Sequence, residues 1–121
     1  MGTTNNQTVI VTGGATGIGY GIAEEFVRRG ANILLNGRTE AKLAAARERF
    51  GRVDVLINNA GIFYCKPFTD YAIGELDSFL GYLRGMFVLT QAAVRQMRRQ
   101  GDGGAIINIS TILALNGVAA F

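Results

Sequence analysis

The stretch "VTGGATGIGYG", residues 11–21, places five glycines among eleven residues. It begins at the end of the apolar run "TVIVT" (8–12) and leads into residues whose apolar side chains recur at helical spacing as far as Arg29. A helix that starts after such a turn presents unpaired N–H groups and a partial positive charge. Glycines let the chain turn tightly and approach a pyrophosphate closely. The stretch therefore predicts a phosphate site between a strand and a helix.

The rest of the chain continues the alternation of strand and helix. Apolar runs predict strands over 8–12, 31–37, 53–61 and 103–110, and helical spacing predicts helices over 18–29, 39–50 and 73–100. Two glycines, Gly81 and Gly85, weaken the last helix locally. Strands that alternate with helices indicate an α/β fold with a parallel sheet, and 121 residues without a linker suit a single domain.

Composition and charge indicate whether the chain binds nucleic acid or a metal ion. The net charge of +3 comes mostly from arginines, several of them in "VRQMRRQG" (94–101). Such a patch could bind nucleic acid, but basic residues also complement the dipole of a helix C-terminus, and Gly101 then ends the helix. We therefore expect no nucleic-acid partner. The chain has no histidine, so we expect no metal site.

The sequence also bears on the compartment. Cys65 is the only cysteine, which excludes an internal disulfide and fits a reducing environment. The start "MGTTNNQ" lacks the features of a signal peptide, and no apolar run is long enough to span a bilayer. These observations predict a cytoplasmic protein that does not insert into membranes.

Three motifs together resemble a known family. Gly13, Gly17 and Gly19 give the spacing Thr-Gly-x-x-x-Gly-x-Gly, "NNAG" follows the third strand at 58–61, and "IINIST" stands at 106–111. In this order and on these elements, they resemble the short-chain dehydrogenase/reductase family over nearly every residue from Thr8 onward. The resemblance implies a Rossmann-like three-layer sandwich, with helices on both faces of the sheet, and an oxidoreductase activity.

The resemblance also implies a nicotinamide dinucleotide cofactor. It assigns cofactor contacts to Gly13, Thr16, Gly17, Ile18, Gly19, Asn59, Ala60 and Gly61, and it gives Asn58 the task of tying strands together. The end of the second strand reads "NGRT", with Arg38 and no acidic residue. Since an acid there favours NAD(H) and an arginine accommodates the 2′-phosphate of NADP(H), we expect NADP(H), with NAD(H) possible. The alternative is that Arg38 is only a solvated loop charge.

The catalytic residues of the family are incomplete in this chain. Ser110 and Thr111 follow the fourth strand, where the family places its catalytic serine, but no Tyr-x-x-x-Lys occurs anywhere. That tyrosine moves the carbonyl proton and the lysine lowers its pKa. The family's asparagine in the long helix is absent too, with Tyr82 nearby as a substitute acid or, more simply, a packed helix residue. We therefore expect impaired catalysis.

The family's sheet is also shortened internally. Between "TEAKLAAA" and "RERFGRVDVLINNAG" the family has a further outer strand, which this chain lacks. Removing it leaves four strands in the order 2-1-3-4, and a right-handed crossover then places the helix of 39–50 on the face opposite the helix of 18–29. Because the missing strand supplies part of the adenine pocket, we expect weakened cofactor binding.

Three functions remain open: a truncated NADP(H)-binding reductase with little activity, a non-catalytic nucleotide-binding or interaction module, and a fragment of a longer reductase. We also expect self-association. The strands "NILLN" and "AIINI" would form apolar sheet edges, and such edges pair readily. The long helix adds an apolar stripe of Phe79, Leu83, Met86, Phe87, Thr90 and Val94, at a position where the family forms dimer contacts.

Overall fold

The structure, a computed structural model, describes residues 4–36 and 40–111. Strands and helices alternate along the chain in the predicted order. The strands are β1 (Thr8–Thr12), β2 (Asn32–Asn36), β3 (Val55–Asn58) and β4 (Ala105–Asn108), and the helices are α1 (Gly17–Arg28), α2 (Glu40–Phe50) and α3 (Ile73–Gln100), with a 3₁₀ turn at Phe68–Asp70.

The four strands form one parallel sheet in the order β2-β1-β3-β4. This order confirms the 2-1-3-4 prediction. In the central pair Ile10 lies opposite Leu56, and Leu56 lies opposite Ile106 on the other side. Among the described residues between β2 and β3 the chain forms α2 and no strand, in agreement with the predicted loss of an outer strand.

Alternate side chains of the central strands point to opposite faces, as in any strand. On one face Val9, Val11 and Ile57 pack with Ala23 of α1. On the other face Ile10 and Leu56 pack with residues of α3, namely Leu89, Ala92, Ala93 and Met97. Helix α2 contacts α3 and so lies on the face opposite α1. The predicted three-layer Rossmann-like arrangement is confirmed.

β1 has its predicted bounds, and the other three strands are shorter than predicted. The predicted strand 31–37 shortens to β2, an edge strand as expected, whose Leu35 is 42% exposed. The predicted strand 53–61 shortens to β3, because Val53 pairs with the side chain of Gln100 and Asn59 turns toward β1. The predicted strand 103–110 shortens to β4, the other edge, where only Ile106 is half-buried.

Helix α3 matches its predicted range and continues through both glycines. The Glu75 carboxylate accepts the Ala72 N–H at its start, at 2.8 Å. Gly101 ends the helix in the left-handed conformation, with φ of +86°, and Arg98 and Arg99 lie in the last turn. The arginines therefore lie where they complement the helix dipole, as the sequence suggested.

The exposed apolar stripe of α3 differs from the expected one. Phe79, Met86 and Thr90 are half-buried, and Phe79 packs edge-on against Tyr64, 5.5 Å between ring centres. The exposed side chains are Ile73, Leu76, Leu80, Leu83 and Phe87, with Val94 further along. We call the first five the α3 stripe. Their spacing of three and four residues keeps them on one side of the helix.

The amino edge of the sheet, where the strands begin, is closed by side chains. The buried Asp54 carboxylate accepts the Thr8 N–H at 2.8 Å and two guanidinium N–H groups of Arg52 at 2.6 and 2.9 Å. Arg52 also reaches Asp102 at 2.9 Å. The Gln100 amide accepts the Val53 N–H at 2.7 Å and donates to the Val53 carbonyl at 2.9 Å. These side chains join the starts of β1 and β3 to the end of α3.

Burial and hydrogen bonding act in opposite directions on the Asp54 carboxyl. Burial alone would raise its pKa, but the hydrogen bonds from Arg52 and from the Thr8 N–H, together with the charge of Arg52, outweigh burial and hold the pKa below its ordinary value. The hydrogen bonds of Arg52 to Asp54 and to Asp102, together with the charges of these carboxylates, raise the pKa of Arg52. The pair is therefore fully ionised at neutral pH.

Candidate functional site

The candidate site lies at the carboxyl edge of the sheet, where all four strands end. Since the strands are parallel, the turns after β1, β3 and β4 meet at this one edge. The Ile109 N–H still bonds to the Asn58 carbonyl, at 3.0 Å, so β4 leaves the sheet beside the turn after β3. Ser110 and Thr111 follow, both exposed, two strands from β1 and hence about 10 Å away.

Two glycines of the loop after β1 pack against the turn after β3. A methyl group added at Gly13 would lie 2.7 Å from Ala60 Cα, and one added at Gly19 would lie 2.5 Å from the Gly13 carbonyl oxygen and closer still to the Asn59 amide. Both positions therefore require glycine for packing. We expected these glycines to make room for a ligand; in the structure they make room for the protein itself.

Gly17 is different, because it faces open space. Its φ is +59°, in the left-handed region, and apart from its own helix and chain neighbours no atom of the described residues lies within 4 Å of a methyl group placed there. It is the first residue of α1, whose N-cap residue Thr16 makes no side-chain cap and whose first turn contains no acidic residue. Ile18 beside it is 69% exposed. The start of α1 is thus an open, electropositive helix end of the kind that binds anions.

Thr12, at the end of β1, joins the two loops, a role that we did not anticipate from the sequence. Its hydroxyl accepts the N–H groups of Asn59 and Ala60, both at 3.0 Å, and donates to the Ile57 carbonyl at 3.3 Å. The Asn59 amide in turn donates to the Thr12 carbonyl at 3.0 Å. The sequence offered one sign of this role: the strand "TVIVT" is apolar at its centre and ends on a threonine.

Asn58 ties strands together, as expected. Its Nδ2 donates to Asn108 Oδ1 on β4 and to Thr90 Oγ1 on α3, both at 2.9 Å. Asn58 is buried, so these contacts form inside the fold rather than at a ligand surface. Gly61 beyond it lies at the edge of the site, with only the Asn59 carbonyl oxygen near an added methyl group, at 4.0 Å.

Gly14 is a second position that sequence reasoning left out. A methyl group there would lie 2.6 Å from the Leu35 side chain of β2, so this glycine allows the loop to pack on the edge strand. Arg38, the residue expected to select NADP(H), lies outside the described residues. Within residues 4–36 and 40–111, no group of three potential metal ligands occurs, and no helix has the length and hydropathy needed to cross a membrane.

The sequence of the chain matches the family model described as short chain dehydrogenase, over residues 7–48 and again over 39–121. L-rhamnose 1-dehydrogenase (NAD(P)(+)) of Azotobacter vinelandii is 37% identical over 150 aligned positions, which include 94% of this chain and 59% of the relative. L-rhamnose-1-dehydrogenase of Scheffersomyces stipitis is 33% identical and is matched over 60% of its length. The chain spans about 60% of the length of these relatives.

Among solved structures, a short-chain type dehydrogenase/reductase from Mycobacterium marinum has the same fold, with a TM-score of 0.87 at 22% identity. The match covers 95% of this chain and 60% of that one. The likeness therefore extends through the whole sheet described above.

Two features of the matches concern the internal shortening. The alignment with the Azotobacter enzyme runs over 150 positions although this chain has 121 residues, so the relative contains residues inside the matched region that this chain lacks. Residues 39–48 belong to both parts of the family match. Of these, residues 40–48 form most of α2, so one helix occupies a stretch that resembles two separate parts of the family pattern.

Proposed function

Since this chain belongs to the short-chain dehydrogenase/reductase family, we propose that it binds a nicotinamide dinucleotide at the carboxyl edge of its sheet. Gly17 is the observation that carries the proposal. A left-handed glycine with open space around it, at an uncapped helix start, leaves backbone N–H groups available to a pyrophosphate. The pyrophosphate would lie over Thr16, Gly17 and Ile18, with Gly13 and Gly19 shaping the loop beneath it.

The turn after β3 completes the proposed cofactor site. Asn59, Ala60 and Gly61 lie against the glycine loop, and the hydrogen bonds of Thr12 hold the two loops together. The ribose on the adenosine side would lie beside this turn. For the choice of cofactor we propose NADP(H) over NAD(H), because the end of the second strand has Arg38 and no acid.

We propose that these 121 residues catalyse little or no hydride transfer. Ser110 and Thr111 are at the correct edge of the sheet, but the sequence contains no Tyr-x-x-x-Lys to move the carbonyl proton. General acid/base catalysis contributes about 10²–10⁴-fold to such a reaction. A nucleotide-binding module and a part of a longer reductase are both compatible with this proposal. The exposed single cysteine, Cys65, fits the cytoplasm as the compartment.

The test is calorimetric titration with NADPH and with NADH, paired with an assay for oxidation of L-rhamnose, the substrate in the names of two relatives. We expect weak binding, tighter for NADPH, and no turnover above background. The Arg38→Asp variant should reverse or remove the preference. Equal affinity for both cofactors before and after that change would contradict the choice of NADP(H), and turnover that is lost on Thr111→Ala would contradict the catalytic part.

We further propose that the chain self-associates, through the α3 stripe or through the sheet edges. Leu83 and Phe87 of the stripe are 55% and 64% exposed, and Ile107 on edge strand β4 is 41% exposed. Near the start of α3 the stripe continues into an apolar groove of about 610 Å³, between Phe68 and Leu76. Exposed apolar surface of this extent marks interaction sites in soluble proteins.

Light scattering at micromolar concentration tests self-association, and two variants separate its routes. Leu83→Lys should dissociate an assembly that forms through α3, whereas Ile107→Lys should dissociate one that forms through β4. A wild-type chain that remains a monomer of 12.9 kDa would contradict the proposal.

A further inference from the structure

A layer of polar side chains lies across the sheet just below its carboxyl edge, on the α3 face. Thr12, Asn58 and Asn108 stand near the ends of three neighbouring strands, and Thr90 approaches from α3. Asn58 is at the centre of this layer and is only 5% exposed. Its hydrogen bonds therefore have to come from the protein or from a bound molecule.

The Asn58 amide is only half satisfied. Both of its N–H groups have partners, Asn108 Oδ1 and Thr90 Oγ1, but its Oδ1 is buried and accepts no hydrogen bond from the part of the chain that the structure describes. Turning the amide by 180° would not satisfy it. The nitrogen would then occupy the position of the unsatisfied oxygen, and its N–H groups would have no acceptor there. The bonded end points to Asn108 on β4 and to Thr90 on α3, and Asn58 also borders the space beside Thr12 of β1.

A small cavity lies on that side. It has a volume of about 10 Å³ and is lined by Thr12, Asn58, Ala60, Tyr82, Gly85, Met86 and Leu89. This volume is close to the minimum that one water molecule needs. The Thr12 hydroxyl already makes three hydrogen bonds, so the unsatisfied end of the Asn58 amide is the part of the lining that a guest would satisfy.

We propose that this cavity binds one ordered water molecule, which hydrogen-bonds to the unsatisfied end of the Asn58 amide and bridges it to the backbone of Ala60. The water would connect the end of β3 to the turn of Asn59 and Ala60, the turn that holds the glycine loop. The proposal does not depend on the cofactor, because it follows from burial and hydrogen-bonding capacity alone. A purely apolar cavity of this size would stay dry, and the Asn58 amide adds a polar group to this largely apolar one.

The first experiment detects the water directly in the wild-type chain. A crystal structure at 1.5 Å or better, an ordinary limit for placing single waters, should show a peak about 2.7–3.2 Å from the Asn58 amide. In solution, NMR should show cross-relaxation between a long-lived water and the methyl groups of Met86 and Leu89, which do not exchange their protons. An empty cavity, or an Asn58 amide turned onto a protein partner, would overturn the proposal.

The second experiment removes the water with a matched control on the same helix. Gly85→Ala adds a methyl group in the lining of the cavity, whereas Gly81→Ala adds one where no atom lies within 4 Å. Gly81→Ala should raise the Tm or leave it unchanged, since alanine favours helix. Gly85→Ala should lower the Tm and abolish the methyl–water cross-relaxation. Equal Tm changes in the two variants, with the water signal retained in both, would contradict a water site at Gly85.

Discussion

The two edges of the sheet are built in opposite ways. At the amino edge, side chains satisfy the backbone: Asp54 accepts the Thr8 N–H, and the Gln100 amide pairs with both polar groups of Val53. At the carboxyl edge, the start of α1 has no side-chain cap, and Gly17 faces open space. Side chains close one edge, and at the other edge a helix start stays uncapped.

This difference explains why the two edges use different residues. Long polar side chains, those of Arg52, Asp54 and Gln100, close an edge because they can reach across from one element to another. Glycines keep an edge open because they place no atoms between the backbone and a guest. Within the open edge the glycines still divide their work, since Gly13 and Gly19 pack on the protein and only Gly17 of the three faces outward.

The largest expected effect is a loss of NADPH affinity when a side chain fills the carboxyl edge at Gly17. In Gly17→Leu, a side chain would occupy the open space and disfavour the left-handed backbone. Losing two charge-assisted hydrogen bonds to a pyrophosphate would weaken NADPH binding by about 100-fold or more. Calorimetry measures this loss. Gly21→Ala is the control, because Gly21 is also open but lies within α1, and its affinity should equal that of the wild type. Unchanged NADPH binding in Gly17→Leu would show that the phosphate site is elsewhere.

Removing the Asp54 contacts at the amino edge should lower the free energy of unfolding and leave NADPH affinity unchanged. Asp54→Ala removes the acceptor of the Thr8 N–H and the buried partner of Arg52, which should cost about 3 kcal/mol in the free energy of unfolding. Urea denaturation measures the cost. NADPH affinity, measured well below the unfolding midpoint, should stay within about twofold of the wild type, a difference under 0.5 kcal/mol. A parallel loss of affinity would show that the two edges are coupled.

Acid should weaken the amino edge by protonating Asp54. The folded-state pKa of Asp54 lies below its ordinary value, so its contribution to stability is complete above about pH 4 and is lost as the pH falls through the lower folded value. Between pH 4 and pH 2 the wild type should therefore lose more stability than Asp54→Asn, in which this group does not titrate. Urea midpoints of both proteins over this range provide the comparison. Identical pH profiles would mean that the Arg52 pair contributes nothing.

The outer part of the amino-edge network should matter least. Arg52 and Asp102 are 42% and 58% exposed at their side chains, and exposed ion pairs are worth less than about 1 kcal/mol. Asp102→Ala should thus change the free energy of unfolding by under 1 kcal/mol, a limit set by the same solvent screening. The same urea assay checks it against Asp54→Ala. A loss as large as that of Asp54→Ala would place the stabilising contact at Asp102.

Much of this architecture was predictable because periodicity is a local signal. The 28-residue helix α3 was located to the residue, and the order of four strands followed from the alternation and from a recognised pattern. Strand ends were less predictable: Val53 leaves the sheet because a glutamine 47 residues away pairs with it. No local pattern carries such information.

The candidate site, like the fold, was predictable from the sequence only in part. The position of Gly17 at a helix start was readable from the glycine spacing, but the separate packing roles of Gly13 and Gly14 depend on Ala60 and Leu35, which only the folded sheet brings near. The hydroxyl of Thr12 was missed for this reason too, since its partners follow a different strand. The role of Arg38 remains a prediction.

The pairing of Gln100 with Val53 has a consequence for amide hydrogen exchange. The Val53 and Thr8 N–H groups are covered by the side chains of Gln100 and Asp54, so their protons should exchange with deuterium as slowly as those of the central strands. The N–H groups in the first turn of α1 lack such cover and should exchange within the dead time of the experiment until a nucleotide is added. An exchange map of the free chain would then show fast exchange at the proposed cofactor site, the start of α1, and slow exchange at the opposite edge of the same sheet.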